Sequence, residues 1–149
     1  MPVEIKKITE DMLHEVAALE KECFAEPWSE KSLELLVGER ATGFAAFVDG
    51  KLAAYAGMLC VLDEGQITNI ATYPEFRRRG LARMLLDALD GYSKENGIAF
   101  LSLEVRDSNA AARTLYASCD WREAGVRKNF YKLPTEDAVI MTKTLVEVL

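Results

Sequence analysis

The chain has 149 residues, of which 50% are apolar, and it carries a net charge of −6. That length fits one domain over residues 1–149, and the acidic balance argues against nucleic-acid binding and suits a cationic substrate. No apolar run approaches the ~20 residues that cross a bilayer, and residues 1–6 lack a signal-peptide core, so we expect a cytoplasmic protein without membrane attachment. Three separated cysteines and a single histidine argue against a disulfide framework or a metal site.

The first half of the chain predicts a strand, two helices and a hairpin. Apolar spacing places a strand at 3–8, a helix at 12–24, a second helix from Ser29 to about Gly38, and strands at 43–48 and 52–62. Pro27 separates the two helices. Asp49-Gly50 between two apolar runs is a strong hairpin signal. Asp63-Glu64-Gly65 is predicted to form the next turn.

The second half predicts a strand–helix–strand unit followed by a helix and a hairpin. The elements are a strand at 66–73, a helix at 80–96, a strand at 98–105, a helix at 108–119 capped by Ser108, and strands at 123–132 and 138–145. The crossover makes strands 66–73 and 98–105 parallel neighbours, and ligands of such sheets bind at the carboxyl ends of the strands. The predicted fold class is therefore α/β, with a mixed central sheet and flanking helices.

A basic turn between strand 66–73 and helix 80–96 is the most informative stretch. It reads Arg77-Arg78-Arg79-Gly80-Leu81-Ala82. The first N–H groups of a helix lack an intrahelical partner, and the helix dipole favours an anion beside them. Gly80 allows close approach of the backbone, and Ala82 is too small to block a ligand. The glycine patterns of ATP and NAD loops are missing here, so an ATP or NAD site is not the first choice.

Ordered motifs make the chain resemble the GNAT superfamily of acetyl-CoA-dependent N-acetyltransferases. They are R-x-x-G-x-A at 77–82, Q-I-T-N-I-A at 66–71, L-E-V-R-D-S-N at 103–109, R-K-N-F-Y at 127–131, E-D-A-V-I-M at 136–141 and P-W-S-E at 27–30. Within the superfamily the resemblance is to the RimI group, bacterial N-terminal acetyltransferases of a small-subunit ribosomal protein. It implies a GNAT fold with a splayed parallel strand pair, acetyl-CoA as co-substrate without a metal, and a protein N-terminus as acceptor.

The resemblance also implies which residues bind coenzyme A. They are Ile70, Ala71, Thr72, Arg77, Arg78, Arg79, Gly80, Leu81, Ala82 and Asn109. The turn would hold the pyrophosphate through N–H groups, and the strand before it would hold the pantetheine arm through its backbone. The residues alone also fit a solvated helix start at 77–82, ordinary buried strand residues at 70–72, and a helix-start role for Asn109.

Two residues are implied as catalytic. Glu104 alternates with strand leucines and points away from their face; alone it reads as solvated, but the resemblance makes it the general base, directly or through water. Tyr116 is implied as the general acid that protonates the coenzyme A thiolate, with core packing as the alternative. A covalent route through Cys119 lacks a nearby histidine, and a buried thiol is the commoner case, so we expect direct attack by the amine.

The acceptor is expected across the sheet from the phosphates. Trp28, Glu64 and Tyr131 are its candidate walls, although Glu64 fits a solvated turn equally well. Asp120-Trp121 departs from the family's glycine–aromatic pair, at a position that is often left-handed and so favours glycine. Two other functions stay open: acetylation of a small amine such as a polyamine or aminoglycoside, and non-catalytic acyl-CoA binding, against which an intact Glu104 and Tyr116 argue.

Overall fold

A computed structural model describes residues 2–145 of the chain. The strands are β1 Val3–Lys7, β2 Ala41–Val48, β3 Lys51–Val61, β4 Glu64–Thr72, β5 Phe100–Arg106, β6 Arg122–Lys132 and β7 Thr135–Thr144, and the helices are α1 Leu13–Cys23, α2 Glu30–Leu33, α3 Leu81–Glu95 and α4 Ala110–Ser118. The strands form one sheet in the order β1-β2-β3-β4-β5-β7-β6. Only β4 and β5 pair in parallel among these strands, which confirms the predicted mixed sheet.

The helices cover both faces of the sheet. Leu81, Leu85 and Leu89 recur along one side of α3 and pack with α4 residues in the core on one face. Leu13 and Val16 of α1 pack with Leu36, which follows α2, in a second core on the other face of the sheet. Within residues 2–145, none of the helices has the length and apolarity needed to cross a membrane.

Local signals place most element ends correctly, with two corrections. Asp49 (φ 50°) and Gly50 (φ 79°) are both left-handed, as a tight hairpin turn requires. The turn predicted at residues 63–65 is displaced: it lies at residues 62–63, with Leu62 at φ 54°, and β4 already begins at Glu64. The cap of α4 is Asn109 rather than Ser108, because the Asn109 side chain accepts the Ala112 N–H at 3.1 Å.

The parallel strands β4 and β5 are paired only at their beginnings. The pairs are Glu64 with Phe100, Gly65 with Leu101 and Gln66 with Ser102. Opposite Ala56–Met58 of β3, the step from Ile67 to Ile70 contains one extra residue, which is a bulge that bends the strand. Gly57 permits this close approach, because a Cβ there would lie 2.7 Å from Thr68 Oγ1. The carboxyl halves of β4 and β5 consequently open a cleft between them.

Candidate active site

The opening between β4 and β5 is an open cleft of about 960 Å³. Side chains from the segment after α1, from β4 and β5, from α4 and from the β6–β7 hairpin line it. The predicted site residues on its walls are Trp28, Glu64, Ile70, Glu104, Asn109, Tyr116 and Tyr131. The others, Ala71, Thr72 and the 77–82 turn, lie at or beyond the carboxyl end of β4.

Glu104 faces the cleft because the side chains of β5 alternate between a buried face and a partly open one. Its side chain is 31% exposed, and its Oε1 lies 3.5 Å from Nε of Arg127 on β6. An exposed ion pair of this kind is worth at most about 1 kcal/mol. The carboxylate is therefore accessible, and its cationic partner is easily displaced.

Tyr116 is held in place by the end of α4. The Trp121 N–H donates to the Tyr116 carbonyl at 3.0 Å, and the Asp120 N–H donates to the Ala117 carbonyl at 3.3 Å. These two bonds, with Asp120 left-handed at φ 71°, form a Schellman cap. The ring centroids of Tyr116 and Trp121 lie 6.0 Å apart. The Asp120-Trp121 pair therefore forms a helix cap with a left-handed aspartate, and this cap fixes the tyrosine.

Burial sets the protonation of both tyrosines in the cleft. Tyr116 is only 8% exposed, and this burial raises the pKa of its hydroxyl above the usual value. Burial, followed by the nearby Glu104 charge, raises the pKa of Tyr131 to about 12. Arg106 lies 4.3 Å from the Tyr131 ring centroid. At neutral pH both phenols in the cleft therefore keep their protons.

Glu64 lies where β4 and β5 are still paired. Its Oε2 accepts a hydrogen bond from the Ser102 hydroxyl at 2.6 Å, and its side chain lines the cleft. Of the two interpretations open from sequence, the solvated turn residue is therefore wrong, because the position belongs to a strand.

The backbone of β4 alternates between its neighbour and the cleft. The Tyr73 N–H donates to the Ala53 carbonyl at 2.9 Å, and residues along an antiparallel ladder alternate in turning their polar groups toward and away from the partner. Ala71 therefore turns its N–H and C=O toward β3. Ile70 and Thr72 turn theirs away from β3. The Thr72 carbonyl accepts a hydrogen bond from Arg77 Nε at 3.1 Å, so Ile70 offers both of its backbone groups on this side and Thr72 only its N–H.

In the 77–82 turn, two of the three arginines contact other parts of the chain. Arg78 (φ 64°) and Gly80 (φ 77°) are both left-handed, and α3 begins immediately after them. Arg77 Nε donates to the Thr72 carbonyl at 3.1 Å, while Arg79 lies 5.4 Å from the Phe76 ring centroid. An anion here would meet the first N–H groups of α3, which have no partner within the helix.

Two of the residues with candidate roles are committed to other contacts. Asn109 uses its side-chain oxygen to cap α4, which leaves its NH₂ group for a ligand in the cleft. Cys119 packs against the core on the α3 side of the sheet, in keeping with a structural thiol. Cys23, which sequence reasoning did not single out, lines the cleft instead.

Glu20 was also missed from sequence, although it is fully buried at 0% exposure. Its carboxylate accepts the Trp28 N–H at 2.8 Å, the Asn69 side-chain NH₂ at 2.9 Å and the Tyr55 hydroxyl. The available signal was its spacing: Glu20 follows Leu13, Val16 and Ala17 on the apolar side of α1. A carboxylate at such a position requires buried donors.

Comparison with known proteins gives consistent matches over most of the chain. A model of the acetyltransferase (GNAT) family matches residues 13–121. The [ribosomal protein bS18]-alanine N-acetyltransferase of Escherichia coli (strain K12) is 46% identical over 127 residues, which cover 83% of this chain and 84% of that one. A putative enzyme of the same name from Bacillus subtilis (strain 168) is 41% identical over 140 residues, covering 93% and 92%. The crystal structure of the ribosomal-protein-S18-alanine N-acetyltransferase from E. coli has a TM-score of 0.91 at 39% identity, covering 99% and 97%.

Proposed function

The chain belongs to the GNAT acetyltransferase family, and from that premise we propose that it acetylates the N-terminal α-amine of a protein. The proposed acceptor is the N-terminal alanine of a small-subunit ribosomal protein, as the names of the E. coli and B. subtilis relatives suggest. The proposed acetyl donor is acetyl-CoA, the co-substrate of the family. The observation that carries the proposal is the opening between β4 and β5, which brings Glu104 and Tyr116 to one cleft.

Two features of the chain fit acetyl-CoA. Ile70 turns its N–H and C=O away from β3, and Thr72 turns its N–H the same way, which suits the amides of the pantetheine arm. The N–H groups at the start of α3 suit its pyrophosphate, with Gly80 allowing close approach. When bound, acetyl-CoA supplies the thioester. The N–H groups on the open side of β4 are the candidate hydrogen-bond donors to the oxygen of the thioester carbonyl.

Glu104 acts as the proton acceptor for the incoming amine. An α-ammonium has a pKa of about 7.7–8.0 against about 10.4 for lysine, so deprotonation at pH 7 costs roughly 1 rather than roughly 4.6 kcal/mol. A weak base such as a glutamate therefore serves an N-terminus better than a lysine side chain. The arriving ammonium takes the place of the Arg127 guanidinium beside Glu104.

Tyr116 acts as the proton donor to sulfur. The nitrogen lone pair forms the new C–N bond and the C–S bond breaks, while the Tyr116 O–H gives its proton to the departing thiolate. The nitrogen loses its second proton to water, Glu104 also passes its proton to water, and water reprotonates Tyr116, so each turnover releases one proton. The raised pKa of Tyr116 keeps its proton in place until the thiolate forms.

An acceptor panel tests the proposal. Purified protein and acetyl-CoA are incubated with an alanine-starting ribosomal peptide, the same peptide blocked at its N-terminus, and spermidine. Thiol release gives the rate, and mass spectrometry gives the modified group. We expect modification of the free α-amine alone. Faster turnover of spermidine would support a small-amine enzyme, and calorimetric binding of acetyl-CoA without thiol release on any acceptor would support a non-catalytic protein.

A further inference from the structure

We propose that Glu20 is a positioning residue that ties two of the walls of the cleft together through its hydrogen bonds. One wall is the segment between α1 and α2 that carries Trp28, and the other is the bulge of β4 that carries Asn69. The inference rests on the proposed function only in assigning these walls to the acceptor and to acetyl-CoA. The contacts themselves are independent of that assignment.

The Glu20 carboxylate is surrounded by hydrogen-bond donors. Trp28 N–H reaches Oε1 at 2.8 Å, and Asn69 Nδ2 lies 3.1 Å from Oε1 and 2.9 Å from Oε2. The Tyr55 hydroxyl donates to Oε2 from β3. A carboxylate offers only acceptor sites, so this shell of N–H and O–H donors matches its chemistry and offsets the cost of burying it.

The contact with Trp28 fixes a part of the chain that has no regular structure. Residues 24–29 lie between α1 and α2 outside any helix or strand, yet Phe24, Glu26 and Trp28 line the cleft. Glu20 binds the Trp28 backbone eight residues ahead of it. The position of this wall therefore depends on a side chain of the rigid helix α1.

The contact with Asn69 fixes the bulge at the same time. Asn69 lies in the step between Ile67 and Ile70 where β4 gains its extra residue. Ile70, the next residue, turns its backbone groups away from β3. Because Trp28 and Asn69 share one carboxylate, displacement of either wall strains the hydrogen bonds of the other. An apolar side chain at position 20 would fill the core but leave both donors unsatisfied.

Paired variants separate this role from general stability. Glu20→Gln keeps the size of the side chain and replaces an acceptor with a donor. Tyr55→Phe removes one donor from the same carboxylate but leaves both wall contacts, so it serves as the matched control. We expect Glu20→Gln to raise the acceptor KM about tenfold and the acetyl-CoA Kd severalfold, in line with the loss of a hydrogen bond to a charged group. Tyr55→Phe is expected to lower Tm and to leave both constants within twofold.

A spectroscopic readout works without any acceptor. The chain has two tryptophans, Trp28 and Trp121, so 5-fluorotryptophan labelling gives two ¹⁹F resonances. In Glu20→Gln the Trp28 resonance is expected to move while the Trp121 resonance stays. Asn69→Ala is expected to move the Trp28 resonance as well, because both residues are hydrogen-bonded to Glu20. This second variant tests the positioning role from the other wall if Glu20→Gln fails to fold.

Three results would contradict the positioning role of Glu20, and a fourth would separate it from the proposed function. A fixed Trp28 resonance in Asn69→Ala, joint movement of both resonances, or equal effects from Tyr55→Phe would each overturn that role. If the wild-type protein acetylates no N-terminus but the Trp28 resonance and acetyl-CoA affinity change as expected, the proposed function fails and the positioning role of Glu20 stands.

Discussion

The opening between β4 and β5 has two sides of different chemistry. We call them the backbone wall, formed by β4 and the turn that opens α3, and the side-chain wall, formed by β5 and α4. The β4 wall offers backbone groups, through Ile70, Thr72 and the turn that opens α3. The opposite wall offers side chains, namely Glu104 on β5 and Tyr116 on α4. Backbone groups suit a co-substrate that is the same in every turnover, whereas side chains suit proton transfer. The difference predicts that the two walls respond to different kinds of mutation.

The largest effect is expected on the side-chain wall. Glu104→Gln and Tyr116→Phe should each lower kcat by about 10²–10⁴-fold, because each removes one proton-transfer group. The Kd of acetyl-CoA, measured by calorimetry, should stay within twofold. Tyr92→Phe on α3 is the matched control, since it removes a hydroxyl of the same kind outside the cleft. Wild-type turnover in either cleft variant would remove that residue from its role.

A smaller effect of the opposite kind is expected on the backbone wall. Gly57→Ala places a Cβ 2.7 Å from Thr68 Oγ1 and 2.8 Å from Leu36 Cδ1, which forces the bulge of β4 to shift and costs about 1–3 kcal/mol of stability. The acetyl-CoA Kd should rise about tenfold with a smaller change in kcat. Gly91→Ala, where a Cβ has open space on α3, should bind acetyl-CoA normally. Equal affinity in both variants would show that the bulge does not shape the co-substrate wall.

Sequence reasoning was most successful where a residue type reports directly on local geometry. Asp49-Gly50 predicted the hairpin between β2 and β3, and the alternation along β5 predicted that Glu104 points away from the leucines. The basic turn predicted the start of α3. The motif order also led to the GNAT family, which the comparisons confirm. The assignments of ligand-binding and catalytic roles stay predictions.

Features that depend on distant contacts were not accessible. The extra residue of β4 has no signature, because it is defined only by the register with β3. The turn before β4 was misplaced because Leu62 adopts a left-handed conformation that leucine rarely takes. Glu20 stood on an apolar helix face, but its donors Trp28 and Asn69 lie 8 and 49 residues further along the chain.

A substitution at the end of α4, Asp120→Gly, should raise the stability of the protein and leave its turnover unchanged. Asp120→Gly relieves the left-handed strain at the end of α4 (φ 71°), so the free energy of unfolding should rise by about 1 kcal/mol. The N–H bonds to Tyr116 and Ala117 do not involve the Asp120 side chain, so kcat should stay within twofold. Urea unfolding measures the gain, and Asp120→Ala, which keeps a Cβ, should show none. A large loss of kcat in the glycine variant would mean that the aspartate side chain itself takes part in holding Tyr116.

The smallest expected effect concerns alkaline pH, where kcat should not fall. Burial raises the pKa of Tyr116 above the usual 10.0, so as pH rises the phenol keeps its proton beyond the point where an exposed tyrosine ionises. With saturating substrates, kcat should therefore stay level from about pH 8 up to 10.0, the ordinary pKa of a tyrosine. Stopped-flow thiol release can follow this range, with circular dichroism confirming that the protein stays folded. A decline with a midpoint below 10 that disappears in Tyr116→Phe would show that the tyrosine ionises within the working range, and the side-chain wall would then need another proton donor.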